Sequence, residues 1–274
     1  MTDHKASHTF RDSIEDARAS HRIPDTPQSR SPAYRLAFLD EDFMMRDELR
    51  PVRLQMELLK PQLILDEHGI NSTVVIFGGA RIPSPERKET ARTPALAELS
   101  HFYEEARKFA QIMTERSLQT YGHDFVVCTG GGPGVMEAGN LGAHQAGGHS
   151  VGLNILLPHE QAPNAYVTPE LSFNFHYFAL RKMHFLMRAR AVTVFPGGFG
   201  TLDEMFEALT LIQTRRMRRI PLILFGRGFW ENVVNWKLLA EQGTIAEDDL
   251  KLISFVDTAE EAVAIIDAWD YDEK

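Results

Sequence analysis

Residues 191–204 read Ala191-Val192-Thr193-Val194-Phe195-Pro196-Gly197-Gly198-Phe199-Gly200-Thr201-Leu202-Asp203-Glu204, and their reading decides the fold. The apolar, β-branched start is a buried strand. It stops at Pro196, and the chain then passes three glycines. Beyond Thr201 the apolar residues Met205, Phe206, Leu209, Leu211 and Ile212 recur near the helical period. A strand, a glycine turn and a helix start in succession leave bare N–H groups at the positive end of a helix dipole. That setting suits an anion, above all a phosphate, and glycine lets such a ligand reach the backbone. Thr201 and Glu204 also have the spacing of a capping box, with Thr201 as N-cap and Glu204 at N3. A carboxylate in a first helical turn is expected to stay ionised.

The same strand-to-glycine grammar occurs twice more. Thr73-Val74-Val75-Ile76-Phe77 is followed at once by Gly78-Gly79-Ala80-Arg81. Phe125-Val126-Val127-Cys128 runs into Thr129-Gly130-Gly131-Gly132-Pro133-Gly134, and a helical pattern follows over Val135–Ala146. Further strands are expected at Ser150–Ile155, Ile220–Phe225 and Leu252–Val256. Helices are expected from about Leu96 to Leu118, through Ala179–Met187, and over Phe229–Leu239 and Ala259–Trp269. Strands alternating with helices mean an α/β fold, a Rossmann-like doubly wound parallel sheet flanked by helices. Ligands in such sheets bind outside the carboxyl ends of the strands. Glycines at 78–79, 130–134 and 197–200 therefore point to one extended ligand carrying a phosphate and a sugar.

Outward from this core, residues 71–274 read as the nucleotide-binding domain. Residues 1–30 are polar, with Pro24 and Pro27, and read as a disordered tail. Residues 31–70 read as a helical extension: Phe43, Met44, Leu49, Leu54, Met56, Leu58 and Leu59 lie among charges, with Pro51 and Pro61 expected to break the helix. Arg46, Arg50 and Arg53 belong to this solvated face. The 274 residues, 43% hydrophobic and 24% charged, are ordinary for a globular protein. A net charge of −9 argues against general nucleic-acid binding. No apolar run is long enough to span a membrane, and the N-terminus lacks signal-peptide character, so the expected location is the cytoplasm. Cys128 is the single cysteine, which excludes an intrachain disulfide.

Other chemistries lack their residues. There is no Gly-x-x-x-x-Gly-Lys-Ser/Thr, no Gly-x-Gly-x-x-Gly at 130–134 or 197–200, and no Gly-x-Ser-x-Gly elbow. His159-Glu160 has no second histidine at a zinc-binding offset. The run Arg215-Arg216-Met217-Arg218-Arg219 ends a helix, where it complements the dipole, with phosphate recruitment as the lesser alternative.

Taken together, Pro196-Gly197-Gly198-Phe199-Gly200-Thr201-Leu202-Asp203-Glu204, Arg181-Lys182 upstream, and Gly130-Gly131-Gly132-Pro133-Gly134-Val135-Met136-Glu137 resemble the Lonely Guy family. These are cytokinin riboside 5′-monophosphate phosphoribohydrolases, nucleoside monophosphate nucleosidases historically mislabelled as lysine decarboxylases. The N-terminal part is similar to that of the longer bacterial members. The likeness spans about residues 72–257 and rests on Pro-Gly-Gly-x-Gly-Thr-x-x-Glu with an Arg-Lys pair before it. Compact members have Met-His ahead of that pair, where this chain has Phe178-Ala179-Leu180.

The resemblance implies hydrolysis of the N-glycosidic bond of a nucleoside 5′-monophosphate, AMP first among them, to free base and ribose 5-phosphate. It implies that Arg181 and Glu204 are the catalytic pair. Gly197, Gly198, Gly200 and Thr201 would hold the 5′-phosphate. Gly131, Gly132 and Gly134 would approach phosphate or ribose, and Glu137 would take ribose hydroxyls. Gly78, Gly79 and Arg81 would line the other side, and Lys182 would assist Arg181 in binding. No metal or organic cofactor is implied, and a homo-oligomer, dimer or larger, is expected. The rival expectation is a nucleotide or cofactor carrier, or an effector-binding protein, that keeps this scaffold without its chemistry.

Overall fold

The computed structural model describes residues 11–156 and 162–271. The pair His159-Glu160 and the start of the expected tail lie outside the described residues. The chain divides into two compact units, Met1–Met56 and Glu57–Lys274.

Within the first unit, α1 (Ser13–Ser20) is capped by Asp12, whose side chain accepts the N–H of Ile14, and buries no residue. A second short helix, α2 (Glu41–Met44), is capped by Asp40. Arg53 donates to the carbonyls of Met44 and Arg46 at 2.6 and 2.7 Å.

Helix α3 (Arg50–Glu67) follows and runs straight through the prolines expected to break it. Pro51 sits in the first turn, where a helical N–H has no partner to lose. Pro61 is interior and buried. Its ring leaves the carbonyl of Glu57 without its usual donor, and that carbonyl finds another one, described below.

In the second unit, β1 (Thr73–Phe77), β2 (Val126–Thr129), β3 (Ser150–Ile155), β4 (Ser172–Phe175), β5 (Ala189–Val194), β6 (Leu222–Phe225) and β7 (Ser254–Val256) form one sheet in the order β4-β3-β2-β1-β5-β6-β7. Every pairing is parallel. Helices α4 (Pro94–Glu98), α5 (His101–Leu118), α6 (Val135–Gln145), α7 (Phe178–Met187), α8 (Phe199–Gln213), α9 (Arg227–Val233), α10 (Trp236–Glu241) and α11 (Ala259–Asp267) complete the order. The helix expected from Leu96 is interrupted, so α4 and α5 are separate.

The strand β4 was not expected; its four residues sit in a stretch that reads as mixed aromatic and basic. Alternating side chains of β1 feed two cores, one on each face of the sheet. Val75 and Phe77 join Phe185, Met205 and Trp230, whereas Val74 and Ile76 join Phe109, Met113 and Phe225. The chain builds β1 to β4 in one direction and then returns to place β5 against the other side of β1. The topological switch thus lies between β1 and β5, where a ligand crevice is expected at the carboxyl edge. Among the described residues no helix is long and apolar enough to cross a membrane.

Candidate active site

All three glycine turns follow carboxyl ends of central strands: 78–79 after β1, 130–134 after β2, and 197–198 after β5. They wall a cavity of about 720 Å³ at the switch point. Gly78, Gly79, Arg81, Gly132, Gly197, Gly198, Gly200 and Thr201 line it, with Arg181 and Glu204. Its apolar side comes from Leu96, Leu99, Met136, Ile155, Phe178, Phe199 and Phe229. The sequence reading assigned none of these apolar residues to the site. Phe178 and Phe199 could have been suspected from their places beside the two motifs, and Phe199 is 92% exposed.

Helix α8 starts earlier than the capping-box reading requires. Its N-cap is Gly198, Phe199 is its first residue, and no side chain caps it. Thr201 is therefore N3 rather than N-cap. It is buried, and a Cβ on Gly197 would lie 2.2 Å from its Oγ1. Gly197 is thus glycine because Thr201 packs against it. A Cβ on Gly198 or Gly200 would meet nothing, so these two leave the α8 N–H groups open to the cavity.

Glu204 falls in the second turn of α8 instead of the first. It is largely buried, and burial pushes its carboxyl up to about 7, against the opposing pull of the Arg181 guanidinium. The expectation of a fully ionised first-turn carboxylate is corrected accordingly. Dipole stabilisation fades beyond the first turn, and desolvation wins.

Arg181 comes from α7. Its Nη1 donates to Glu204 Oε1 at 3.0 Å, its Nε donates to the Leu153 carbonyl at 2.7 Å, and its guanidinium lies 5.0 Å from the centre of the Phe185 ring. A Cβ on Gly130 would lie 2.6 Å from Arg181 Nη2, so the absence of a side chain there makes room for the guanidinium.

Helix α7 is fastened from α3 by Glu57 twice over. Its carboxylate accepts the N–H groups of His176 and Tyr177 at 2.8 and 3.1 Å, where α7 begins. Its carbonyl, left open by Pro61, accepts from His184 Nε2 at 3.1 Å. That role needs a proton on Nε2, and because burial shifts His184 downward from the ordinary histidine range and favours the neutral ring, the Nε2–H tautomer supplies it. His184→Ala should expose the unsatisfied carbonyl and cost about 1–3 kcal/mol. An unchanged urea midpoint in this variant would remove the bond from the account.

The remaining candidates support the cavity without lining it. Lys182 pairs with Glu207 at 2.6 Å and Asp203 at 3.3 Å on α8, tying the two helices together. Glu137 accepts from Tyr103 Oη at 3.0 Å. Gly131 sits at φ +72°, where an added Cβ would meet Asn154 Oδ1 at 2.1 Å. Asn164, which the sequence reading did not single out, holds this turn by donating its Nδ2 to the carbonyls of Gly131 and Gly132.

Gly134 has φ +68°, and its Cβ would fall 2.5 Å from the Gly79 carbonyl oxygen. Backbone cannot give way as a side-chain tip does, so Gly134→Ala should separate the β1 and β2 turns. A loss of about 2–4 kcal/mol is expected from strain and overpacking together. A wild-type melting temperature for this variant would show that the turns are not mutually braced.

Parallel strands, helices on both faces and a glycine-lined crevice at the switch point define an α/β protein of the Rossmann-like class. The family described as "Possible lysine decarboxylase" matches residues 136–266. Cytokinin riboside 5′-monophosphate phosphoribohydrolase LOG of Oryza sativa subsp. japonica is 28% identical over 141 residues, covering 50% of this chain and 57% of that protein. The chain thus spans little more than half the length of that relative. The resemblance to the Lonely Guy family stands on these two matches. Two solved structures each cover 72% of the chain. One is the structural-genomics protein TM1055, with TM-score 0.49, 24% identity and 99% of its chain covered. The other is the molybdenum cofactor carrier protein of Chlamydomonas reinhardtii, with TM-score 0.47, 17% identity and 96% covered.

Proposed function

We propose that this protein hydrolyses the N-glycosidic bond of a nucleoside 5′-monophosphate, with AMP or an N6-modified adenylate as substrate. The observation that carries the reading is the Arg181–Glu204 pair, buried on the floor of the cavity beside the open N-terminus of α8. The 5′-phosphate sits on the N–H groups at Gly198, Phe199 and Gly200, where the helix dipole favours negative charge. The base lies against the apolar side formed by Phe178, Phe199 and Phe229.

Breaking the bond from C1′ to the base nitrogen sends the electron pair to the base and leaves oxocarbenium character on the ribose. The Glu204 carboxylate stabilises that charge and takes a proton from the attacking water, whose oxygen bonds to C1′, by analogy with glycoside hydrolysis. The departing base takes up a proton, and the products are free base and ribose 5-phosphate. Arg181 holds the carboxylate in place and keeps part of it ionised near neutral pH. No step requires a cofactor.

The test is incubation of the protein with nucleoside 5′-monophosphates and the matching nucleosides, with products separated by chromatography. Base release from AMP but not from adenosine is expected. Nucleotide binding without release of any base would overturn the enzymatic reading in favour of a carrier.

A further inference from the structure

At the opposite edge of the sheet lies a second cavity, of about 910 Å³, which the candidate active site does not use. Its walls are the segment between α8 and β6, the segment leading into β7, and the residues after α11. Helix α8 separates the two cavities by its own length, about 22 Å for fifteen residues at the standard rise.

The wall carries Arg215, Arg216, Arg218 and Arg219. The sequence reading placed this run in the last turn of a helix as dipole complement, but α8 ends at Gln213 with no basic residue in its last turn. The helix end is closed by backbone bonds, with the Thr214 hydroxyl donating to the Thr210 carbonyl at 2.6 Å. The N–H of Arg216 bonds the Leu211 carbonyl at 2.9 Å, and that of Arg215 bonds the Ile212 carbonyl at 3.0 Å, the paired bonds of a Schellman motif. In that motif the residue at Arg215's place adopts a left-handed backbone and is usually glycine. Arg215 adopts it at φ +58°. A Cβ is strained there, so the turn itself gives no reason for an arginine at this position.

Among the described residues Arg215, Arg216 and Arg218 have no carboxylate partner, whereas Arg107, Arg116, Arg181, Arg188 and Arg227 of the second unit do. Arg219 donates to the Lys251 carbonyl at 3.0 Å and lies over the Trp269 ring. Three acids share the wall: Asp248, Asp249 and Asp270. Asp248 is paired with Lys251, and Asp249 accepts from Gln213 and from the Ala246 N–H. The guanidinium groups of Arg215, Arg216 and Arg218 therefore gather in a concave surface of a protein whose net charge is −9, beside three acids but without an ion-pair partner among the described residues.

We propose that this cavity is a second binding site, for an anion bearing linked phosphates. Planar guanidinium groups bind phosphate oxygens in pairs. Several of them within one turn favour a chain of phosphates over a single one. The phosphate chain is the recognised chemistry, and it could come from inorganic polyphosphate or from a nucleoside triphosphate.

Calorimetric titration of the full chain with inorganic tripolyphosphate, and separately with ATP, tests the proposal. Ribose 5-phosphate is present throughout to fill the first cavity. The same titrations are run on the triple variant Arg215→Gln, Arg216→Gln, Arg218→Gln and on Glu204→Gln. The triple variant should lose about tenfold or more in tripolyphosphate affinity, and Glu204→Gln should lose none. The loss should shrink as salt rises, because exposed charges are screened. Tighter binding of ATP than of tripolyphosphate would support a nucleotide ligand seated against the aromatic wall; equal binding would support inorganic polyphosphate. Either absence of tripolyphosphate binding to the unmodified chain below about 1 mM or unchanged binding to the triple variant would overturn the proposal. So would a response to duplex DNA without a response to tripolyphosphate.

Discussion

Glu204→Gln is expected to lower the rate of AMP cleavage by about two to four orders of magnitude, the range ascribed to a general base, while AMP still binds. Glutamine keeps an oxygen where Arg181 Nη1 now finds Oε1 at 3.0 Å, so the floor of the cavity should survive. What it loses is the charge and the proton acceptor. The pH profile separates this from a packing effect. Burial raises the Glu204 carboxyl to about 7 from an ordinary 4.5, so the ionised form grows as pH rises through neutrality. The value of kcat/KM should therefore climb between about pH 6 and 8 and then level off, and the residual activity of the glutamine variant should show no such climb. The same shift has a stability consequence. A carboxyl whose folded pKa lies above its unfolded one favours the folded state most below the unfolded value. That contribution is lost as pH rises from 4.5 to about 7, a swing of about 3 kcal/mol. Unfolding free energies of the two proteins, compared at pH 5 and pH 8, should differ by an amount of that order. Near-wild-type turnover in Glu204→Gln would remove the residue from the chemistry.

The parts of this molecule that were readable from its sequence are those fixed by local grammar. A β-branched run that ends in glycines can hardly be other than a buried strand meeting a tight turn, and 73–79, 126–131 and 192–198 all obey it. Features set by residues distant in the chain were read less well. Thr201-x-x-Glu204 has capping-box spacing, yet Gly197 and Thr201 pack against each other and draw the helix start back to Phe199. Pro61 should end a helix by local rules, and it does not, because His184, 123 residues later, supplies the bond that the proline cannot. The protonation of Glu204 depends on burial by several elements, and no spacing in the chain announces it. Strand β4 is the remaining omission: Ser172-Phe173-Asn174-Phe175 does alternate, but four residues are too few to stand out among aromatic and basic neighbours.

Arg181→Ala should damage the protein in a different way from the loss of Glu204. The guanidinium satisfies the Leu153 carbonyl and the Glu204 carboxylate together, and its removal orphans both. Breaking a buried ion pair from one side costs about 3–5 kcal/mol when the surviving charge cannot escape. Here it can escape, because Glu204 already titrates near neutrality. Without Arg181 the carboxyl should move further upward and take a proton at pH 7, which spares stability at the expense of activity. The variant is therefore expected to lose more activity at pH 7 than at pH 9, and its rising limb should shift to higher pH than in the unmodified protein. Arg181→Lys should recover part of the lower limb, since an ammonium restores charge but not the paired geometry toward Leu153 and Glu204. If the limb stays near pH 7 in Arg181→Ala, the guanidinium does not hold the carboxylate ionised. Its contribution would then lie in binding the nucleotide, and it would show as a rise in KM with kcat unchanged.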